Sequence, residues 1–314
     1  MSSALAFNRQ EHWADKNGVK LFLLEKYCAS PAGKPAVLFV HGSSMTAQAT
    51  FDLQIAGRPE SSALEYFAAR GFDAWCVDME GYGRSGKSRD INFDIDNGAD
   101  DLAAASDYIM RTRGVKNIML YGNSSGALRA GLLAQRHPDR VSRLALDACV
   151  WTGEGSPTLI ERRKKLHEFT ATNRRPIDLP FLRSVFDRDH AACVERSVVD
   201  AFAAEVLALD DSVPTGSYVD MCTRLPMIDP AKLTMATIIM RGQFDGIAAF
   251  DDLIEFFRRL PNPDKQFAMM PGISHNSFQQ INYLTVYHIL HSFFAQPAPL
   301  FRDAEKARLH SSAP

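Results

Sequence analysis

Long apolar runs are missing from this 314-residue sequence; none approaches the roughly 20 residues that a helix needs to cross a bilayer. The opening stretch MSSALAFNRQEHWADKNG has no basic segment leading into an apolar one, so no secretory leader is expected and the protein reads as cytoplasmic. Cysteine is scarce and odd in number: Cys28, Cys76, Cys149, Cys193 and Cys222 lie far apart, without a C-x-x-C pair. That spacing argues against a zinc site, a redox pair and a disulfide framework, leaving the thiols as small apolar filler. Only Cys149 falls just after a predicted strand, where α/β proteins build their sites. No histidine pair has zinc-ligand context, and neither metal nor cofactor is expected. An excess of either charge is also lacking. The net charge is -2, without a basic stripe or like-charge block, so neither nucleic acid nor an anionic membrane is an expected partner.

What is present is an ordinary globular composition, 46% hydrophobic and 23% charged, enough to bury a large core. Short apolar runs (VKLFLLEKY, AVLFVHG, FDAWCVD, NIMLYG, RLALDACV, ATIIMRG and QFAMMPG) alternate with segments of helical period at about 61–70, 98–112, 125–136, 250–260 and 276–295. This is the pattern of parallel βαβ units, an α/β fold. Several of the runs are apolar at consecutive positions, as strands covered on both faces should be. Asp96 or Asn97 is placed to start the second of these helices and Gly114 to end it. From 152 to 229 the alternation stops and helical spacing takes over, which predicts a helical cap inserted between two strands. The basic cluster ERRKKLH within it reads as a solvated helix face. The predicted organisation is a core of 1–151 and 230–296, a cap of 152–229 and a polar tail of 297–314.

In LYGNSSGALRAGLL, polar turn-formers stand where a buried strand hands over to a helix. Gly122, Ser124 and Gly126 fit G-x-S-x-G there, a nucleophile elbow in which small residues two before and two after leave room for a sharp turn. Ser125, flanked by Asn123 and Ala127, fits less well. Two backbone N–H groups must face the oxyanion of an acyl-transfer intermediate; Ser125 and Ser43, the latter from FVHGSSM, are placed to supply them. His41 in the same stretch reads as a turn-stabilising residue. A base and a buried carboxylate are then needed. His275 in MMPGISHNSF is the candidate base, and Asp245 in MRGQFDGIAAF the candidate acid, with Asp147 at the end of LALDACV as its rival.

These residues, in the chain order Ser124, Asp245, His275, resemble the α/β-hydrolase superfamily over roughly residues 18–295. DMEGYGRSGKS is similar to that family's D-x-x-G-x-G-x-S turn through Asp78, Gly81, Gly83 and Ser85, and LLAQRHPDRVSRLALDA resembles the segment that follows its elbow. The resemblance implies an eight-stranded, mostly parallel sheet, a helical cap after the sixth strand, a cofactor-free acyl-transfer site, and the roles of nucleophile, acid and base for Ser124, Asp245 and His275. The segment from Gly42 to Asp78 is longer than the family's usual one. Trp151, Phe181, Tyr218, Met221 and Leu225 are candidate pocket residues. Arg129, Arg174 and Arg175 are candidates for a substrate carboxylate, against an expectation of surface placement. The expected function is hydrolysis of a small or medium carboxylic ester through an acyl-enzyme. Amide, thioester, lactone or carbon–carbon bond cleavage by the same residues remains open, as does a ligand receptor that keeps the triad with little turnover.

Overall fold

The apolar runs assemble into one eight-stranded sheet in the computed structural model, which describes residues 6–300. In chain order the first elements are β1 (Phe7–Lys16), β2 (Val19–Cys28), β3 (Ala36–Val40), α1 (Ala47–Phe51), α2 (Ala63–Ala69), β4 (Asp73–Val77), α3 (Ile95–Arg113), β5 (Ile118–Asn123), α4 (Ser125–Arg136) and β6 (Val141–Asp147). An insertion follows: α5 (Pro157–Lys164), α6 (Leu166–Ala171), β7 (Arg174–Pro176), α7 (Leu179–His190), α8 (Arg196–Leu207), β8 (Ser212–Pro214) and α9 (Gly216–Thr223). The chain returns to the sheet through β9 (Ala236–Gly242), α10 (Phe250–Arg259), β10 (Lys265–Met270) and α11 (Tyr283–Ala295). The strand order is β1-β2-β4-β3-β5-β6-β9-β10. β2 runs antiparallel to both its neighbours, β1 and β4, and every other pairing in this eight-stranded sheet is parallel.

The consecutive apolar residues of β3 explain why this sheet lies inside. Leu38 and Val40 point into one core with residues of α3, α4 and α10, while Val37 and Phe39 point into a second with residues of α2 and α11. A strand covered on both faces needs no polar alternation. The first strand does the opposite. β1 reads FNRQEHWADK and sits half-exposed at the sheet edge, so its polar sequence hid it from a search for apolar runs.

Three further expectations need correction. α3 is capped by Asp94, whose carboxylate accepts the Asn97 N–H at 2.8 Å, rather than by Asp96 or Asn97; its end at Gly114 is as expected. The insertion is mainly helical as expected, but it is interrupted by strands, because β7 and β8 pair as a small antiparallel ribbon. With three residues each and a proline apiece, these strands give no periodic signal. The last predicted helix is broken into a 3-10 turn at Ser277–Gln279 and α11. Of the predicted tail, residues 297–300 have no regular structure and 301–314 lie outside the described residues. No described helix is long and apolar enough to cross a membrane.

Two buried polar contacts tie these elements together. Arg113, at the end of α3, places Nε 2.8 Å from Asp73 Oδ2 and Nη2 on Glu25, and both carboxylates are fully buried. At the end of β3 His41 is also fully buried; Nε2 accepts the Met79 N–H at 3.1 Å and Nδ1 donates to Gly42 O at 2.7 Å, holding the turn. Burial, with Arg129 adding repulsion, pulls its pKa down to about 3.

Arg113→Met leaves two buried carboxylates short of their shared cation and should cost about 3–5 kcal/mol, read from urea unfolding. A second prediction concerns pH. The unfolded histidine titrates near the reference value of about 6.5, above its folded pKa. His41 therefore contributes stability that is complete above about pH 6.5 and is lost as pH falls from there toward 3, by about 1.4 kcal/mol per unit. Asp73, Asp78 and Asp147, whose carboxyls burial raises to about 6, act in the opposite direction, so the comparison must be with a variant. The stability advantage of the parent over His41→Gln should shrink by that slope between pH 6 and 4; an advantage independent of pH would contradict it.

Candidate active site

β5 ends at Asn123 and α4 begins at Ser125, so Ser124 alone makes the turn, at φ 56 and ψ -122. Residues with a Cβ avoid this region, and the strain persists because the surroundings fix the backbone. The Ser124 N–H donates to Asp147 O at 2.9 Å, and Ser124 O accepts the Ala127 N–H at 2.9 Å. The flanking glycines are needed for space. A Cβ at Gly122 would collide with the Gly126 carbonyl, and one at Gly126 with the carbonyls of Val40 and His41. Both contacts are with backbone, which cannot turn aside.

The turn brings Ser124 Oγ to 2.8 Å from His275 Nε2, and His275 Nδ1 lies 3.1 Å from each oxygen of Asp245. Asp245 Oδ1 also accepts the N–H groups of Ile247 (2.8 Å) and Ala248 (3.1 Å). Burial alone would raise this carboxyl, but the His275 imidazole and the two N–H bonds outweigh it and hold it below the usual carboxylate range. Arg241 clamps the same loop, donating to the carbonyls of Ala248 (2.7 Å), Gly242 (2.7 Å) and Asp245 (2.9 Å). The rival Asp147 is engaged elsewhere: Tyr121 Oη donates to its Oδ2 at 2.6 Å, and burial lifts its carboxyl to about 6.

The long segment between Gly42 and Asp78 has a definite place. Arg58 donates to the carbonyls of Gln279 (3.2 Å) and Gln280 (2.6 Å) and lies 3.9 Å over the Tyr283 ring, bracing the chain that follows His275. Gln279 Nε2 reaches back to Thr50 O at 2.8 Å. On the other side of the elbow, a Cβ on Gly42 would sit 3.1 Å from Ser124 Cβ, so the loop after β3 abuts the serine. Ser43 Oγ donates to Ser125 Oγ at 2.9 Å and also meets Ser217 Oγ of α9. Ser125 is the first residue of α4, where an N–H has no intrahelical acceptor. Neither its N–H nor that of Ser43 donates to a backbone carbonyl among the described residues. A hydroxyl, an imidazole and a carboxylate in series, beside two free N–H donors, can move a proton from the hydroxyl as it attacks an acyl carbon.

Above Ser124 a cavity is lined by Ser43, Ser44 and Met45 on one side, His275, Asn276 and Ile247 on another, and Arg162, Val185, Arg188, Tyr218 and Met221 of the insertion. It leaves about 20 Å³ for water centres, room for about one water. Of the predicted pocket residues, Tyr218 and Met221 are present and Trp151, Phe181 and Leu225 are not. Trp151 packs against Phe256 and donates to Ile228 O at 3.0 Å, Phe181 lines a groove on the outer side of Tyr218, and Leu225 lies against Gly153. Cys149 is buried and bonded only to its neighbour's carbonyl.

The arginines depart further from expectation. Arg129 is buried beneath His41 O (3.3 Å) and Arg174 is bonded to Gly81 O (2.9 Å), both away from the cavity. Arg175 is buried against Ser44 and Tyr218. Arg162, from the cluster read as a solvated face, turns inward, and Arg188 was not singled out at all. The available signal was helical spacing: Arg162 follows the buried Leu159 by three residues, and Arg188 follows the cavity-lining Val185 by three. Around Tyr218 the guanidiniums of Arg162 and Arg175 lie 3.7 and 4.0 Å from the ring centroid. Burial opposes ionisation of this phenol, but the two cations outweigh it and draw its pKa down to about 7.

The chain is similar in fold to an esterase from Exiguobacterium antarcticum (TM-score 0.69, 17% identity, covering 91% of this chain and 100% of that one). It is likewise similar to a hydrolase from Pseudomonas aeruginosa PA01 (0.68, 18%, 94% and 100%) and to a bromoperoxidase from Bacillus anthracis (0.67, 15%, 91% and 100%). Among curated proteins no sequence matches. The family model described as "Serine aminopeptidase, S33" matches residues 32–281, most of the chain, and with the eight-stranded sheet and its elbow this shows that the protein belongs to that family of α/β-hydrolases.

Proposed function

We propose that the protein is a serine hydrolase that cleaves a small or medium carboxylic ester through an acyl-enzyme. The observation that carries this reading is the series Ser124 Oγ, His275, Asp245, with 2.8 Å between hydroxyl and imidazole. Ser124 Oγ attacks the ester carbonyl carbon while His275 Nε2 takes its proton; the carbonyl oxygen becomes an oxyanion facing the N–H groups of Ser43 and Ser125. As the intermediate collapses, the C–O bond to the alcohol breaks and His275 returns the proton to it. Water then repeats the sequence on the acyl-enzyme, giving the acid and free Ser124. Asp245 holds the imidazole in the required tautomer and offsets the charge it gains. Each step uses groups of the chain itself.

Because the cavity admits about one water, substrate entry requires residues 152–229 to shift, and in this reading they act as a cap. The family description favours a second reading, cleavage of an amide by the same groups. Release of a residue from a peptide N-terminus is the weaker form of it. An α-ammonium needs a carboxylate, whereas no Asp or Glu lines this cavity and two arginines do.

The test is a panel of p-nitrophenyl esters of varied acyl length, run beside amides and lactones, with fluorophosphonate labelling of the same protein. Ser124→Ala should lose both label and turnover. Asp245→Asn should lower kcat by about 10³–10⁴-fold through the wrong tautomer, while Asp147→Asn should stay within about tenfold of the parent. Undiminished turnover by Ser124→Ala would remove the mechanism, and labelling without turnover of any substrate would favour a receptor.

A further inference from the structure

The cavity carries positive charge that the chemistry at Ser124 does not use. Arg143 and Arg241, also buried, are engaged, Arg143 with Asp264 (3.4 Å) and Gln296 O (3.1 Å) and Arg241 with a ring of carbonyls; buried Arg129, bonded to His41 O (3.3 Å) with no partner for Nε, lies away from the cavity. The cap arginines differ. Arg162 is buried, and its one recorded hydrogen bond runs from Nη1 to the weak acceptor Met221 Sδ at 3.8 Å. Arg175 is buried, with Nη2 on Ser44 Oγ and no partner for Nε or Nη1. Arg188 pairs with Asp189 at 3.0 Å. Of the two carboxylates that act on Arg188, Asp189 is thus held by Arg188 itself and Asp245 by His275.

A second orphan points the same way. Asn276 is buried and lines the cavity, yet neither its amide nitrogen nor its amide oxygen has a partner. Burying the guanidiniums of Arg162 and Arg175 beside one another with a carboxylate on neither costs free energy, and burying an unbonded amide adds to it; Arg188 is more exposed and already carries Asp189. The cluster therefore has the form of a half-built ion pair, in which donors converge on a place that an anion would fill.

We propose that the substrate carries a carboxylate in addition to its scissile ester, bound by Arg162 and Arg188 with the Asn276 amide and the Tyr218 hydroxyl, while Arg175 positions Ser44 and Tyr218 from behind. This inference rests on the ester-hydrolase reading and names the substrate class for the same site. A planar carboxylate fits a guanidinium edge with two parallel N–H bonds, and a short dicarboxylic half-ester or a hydroxy-acid ester carries one near its scissile bond.

Two pairs of esters test it by pH-stat, each differing in one terminal group: ethyl hydrogen glutarate against ethyl pentanoate, and the butanoate ester of glycolate against propyl butanoate. In at least one pair the anionic ester should have kcat/KM about 10–100-fold higher, as for charge-assisted hydrogen bonds, with the gain mainly in KM. Arg162→Met and Arg188→Met should each reduce that ratio about tenfold or more, and Arg188→Lys should retain part of it. The ratio is internal to each protein, so partial misfolding does not alter it. Equal kcat/KM within both pairs would overturn the inference and leave the ester reading standing. If no ester is cleaved, calorimetry of Ser124→Ala with glutarate separates the two claims. Binding of glutarate but not of its neutral analogue glutaramide supports the anion site while the ester reading fails, and binding of neither, or equal binding of both, overturns the site as well.

Discussion

Ser124 occupies a backbone conformation that costs about 1–3 kcal/mol, and the rest of the site depends on its being held there. Two close approaches of backbone to backbone, at Gly122 and Gly126, seat α4 directly on β3 and β5. That seating forces the chain to reverse within one residue, which drives Oγ away from the backbone and places the Ser125 N–H beside it at the start of a helix. The positive end of the helix dipole then lies where negative charge would develop on an acyl oxygen. The same sheet order that puts β5 between β3 and β6 brings the loop after β3 to one side of the serine and the Asp147 carbonyl to the other. One steric constraint therefore supplies a hydroxyl, a donor and a neighbour for each.

The proposed acid and base come from different loops, and each is fixed by an arginine that binds carbonyl oxygens. Arg241 gathers the carbonyls around Asp245, and Arg58 gathers those after His275. A guanidinium suits this task because its five N–H groups form a rigid fork, so one side chain orders several peptide units at once. Arg58 reaches its carbonyls from the segment between Gly42 and Asp78, which thus helps to hold the chain after His275 in place.

Much of this was legible in the sequence because it is written in short-range terms. The elbow glycines, the apolar strands and the Gly114 helix end each state a local steric demand, and Ser124, Asp245 and His275 stand at the ends of recognisable strands. The choice between Asp245 and Asp147 was not legible. Both follow strands, and only the folded chain gives Asp147 to Tyr121. β1 was hidden by its polar edge, and β7 and β8 by their brevity. The cavity wall was the least legible part: aromatic content suggested Trp151 and Phe181, which pack elsewhere, whereas the wall includes Arg162 and Arg188, residues that sequence reasoning assigns to the surface.

Those arginines also shape the chemistry. In a small cavity that admits little water, charges interact far more strongly than at the surface. Positive charge from Arg162 and Arg188 would favour the proposed substrate anion and, in the proposed reaction, the oxyanion at Ser124. The imidazolium that forms on His275 in that step needs a counter-charge of its own. A carboxylate close to the ring and charged throughout is the remedy, and Asp245 meets both conditions. It touches Nδ1 with both oxygens, and two backbone N–H groups keep it ionised despite complete burial of its side chain. In the proposed reaction the base therefore depends on the carboxylate behind it.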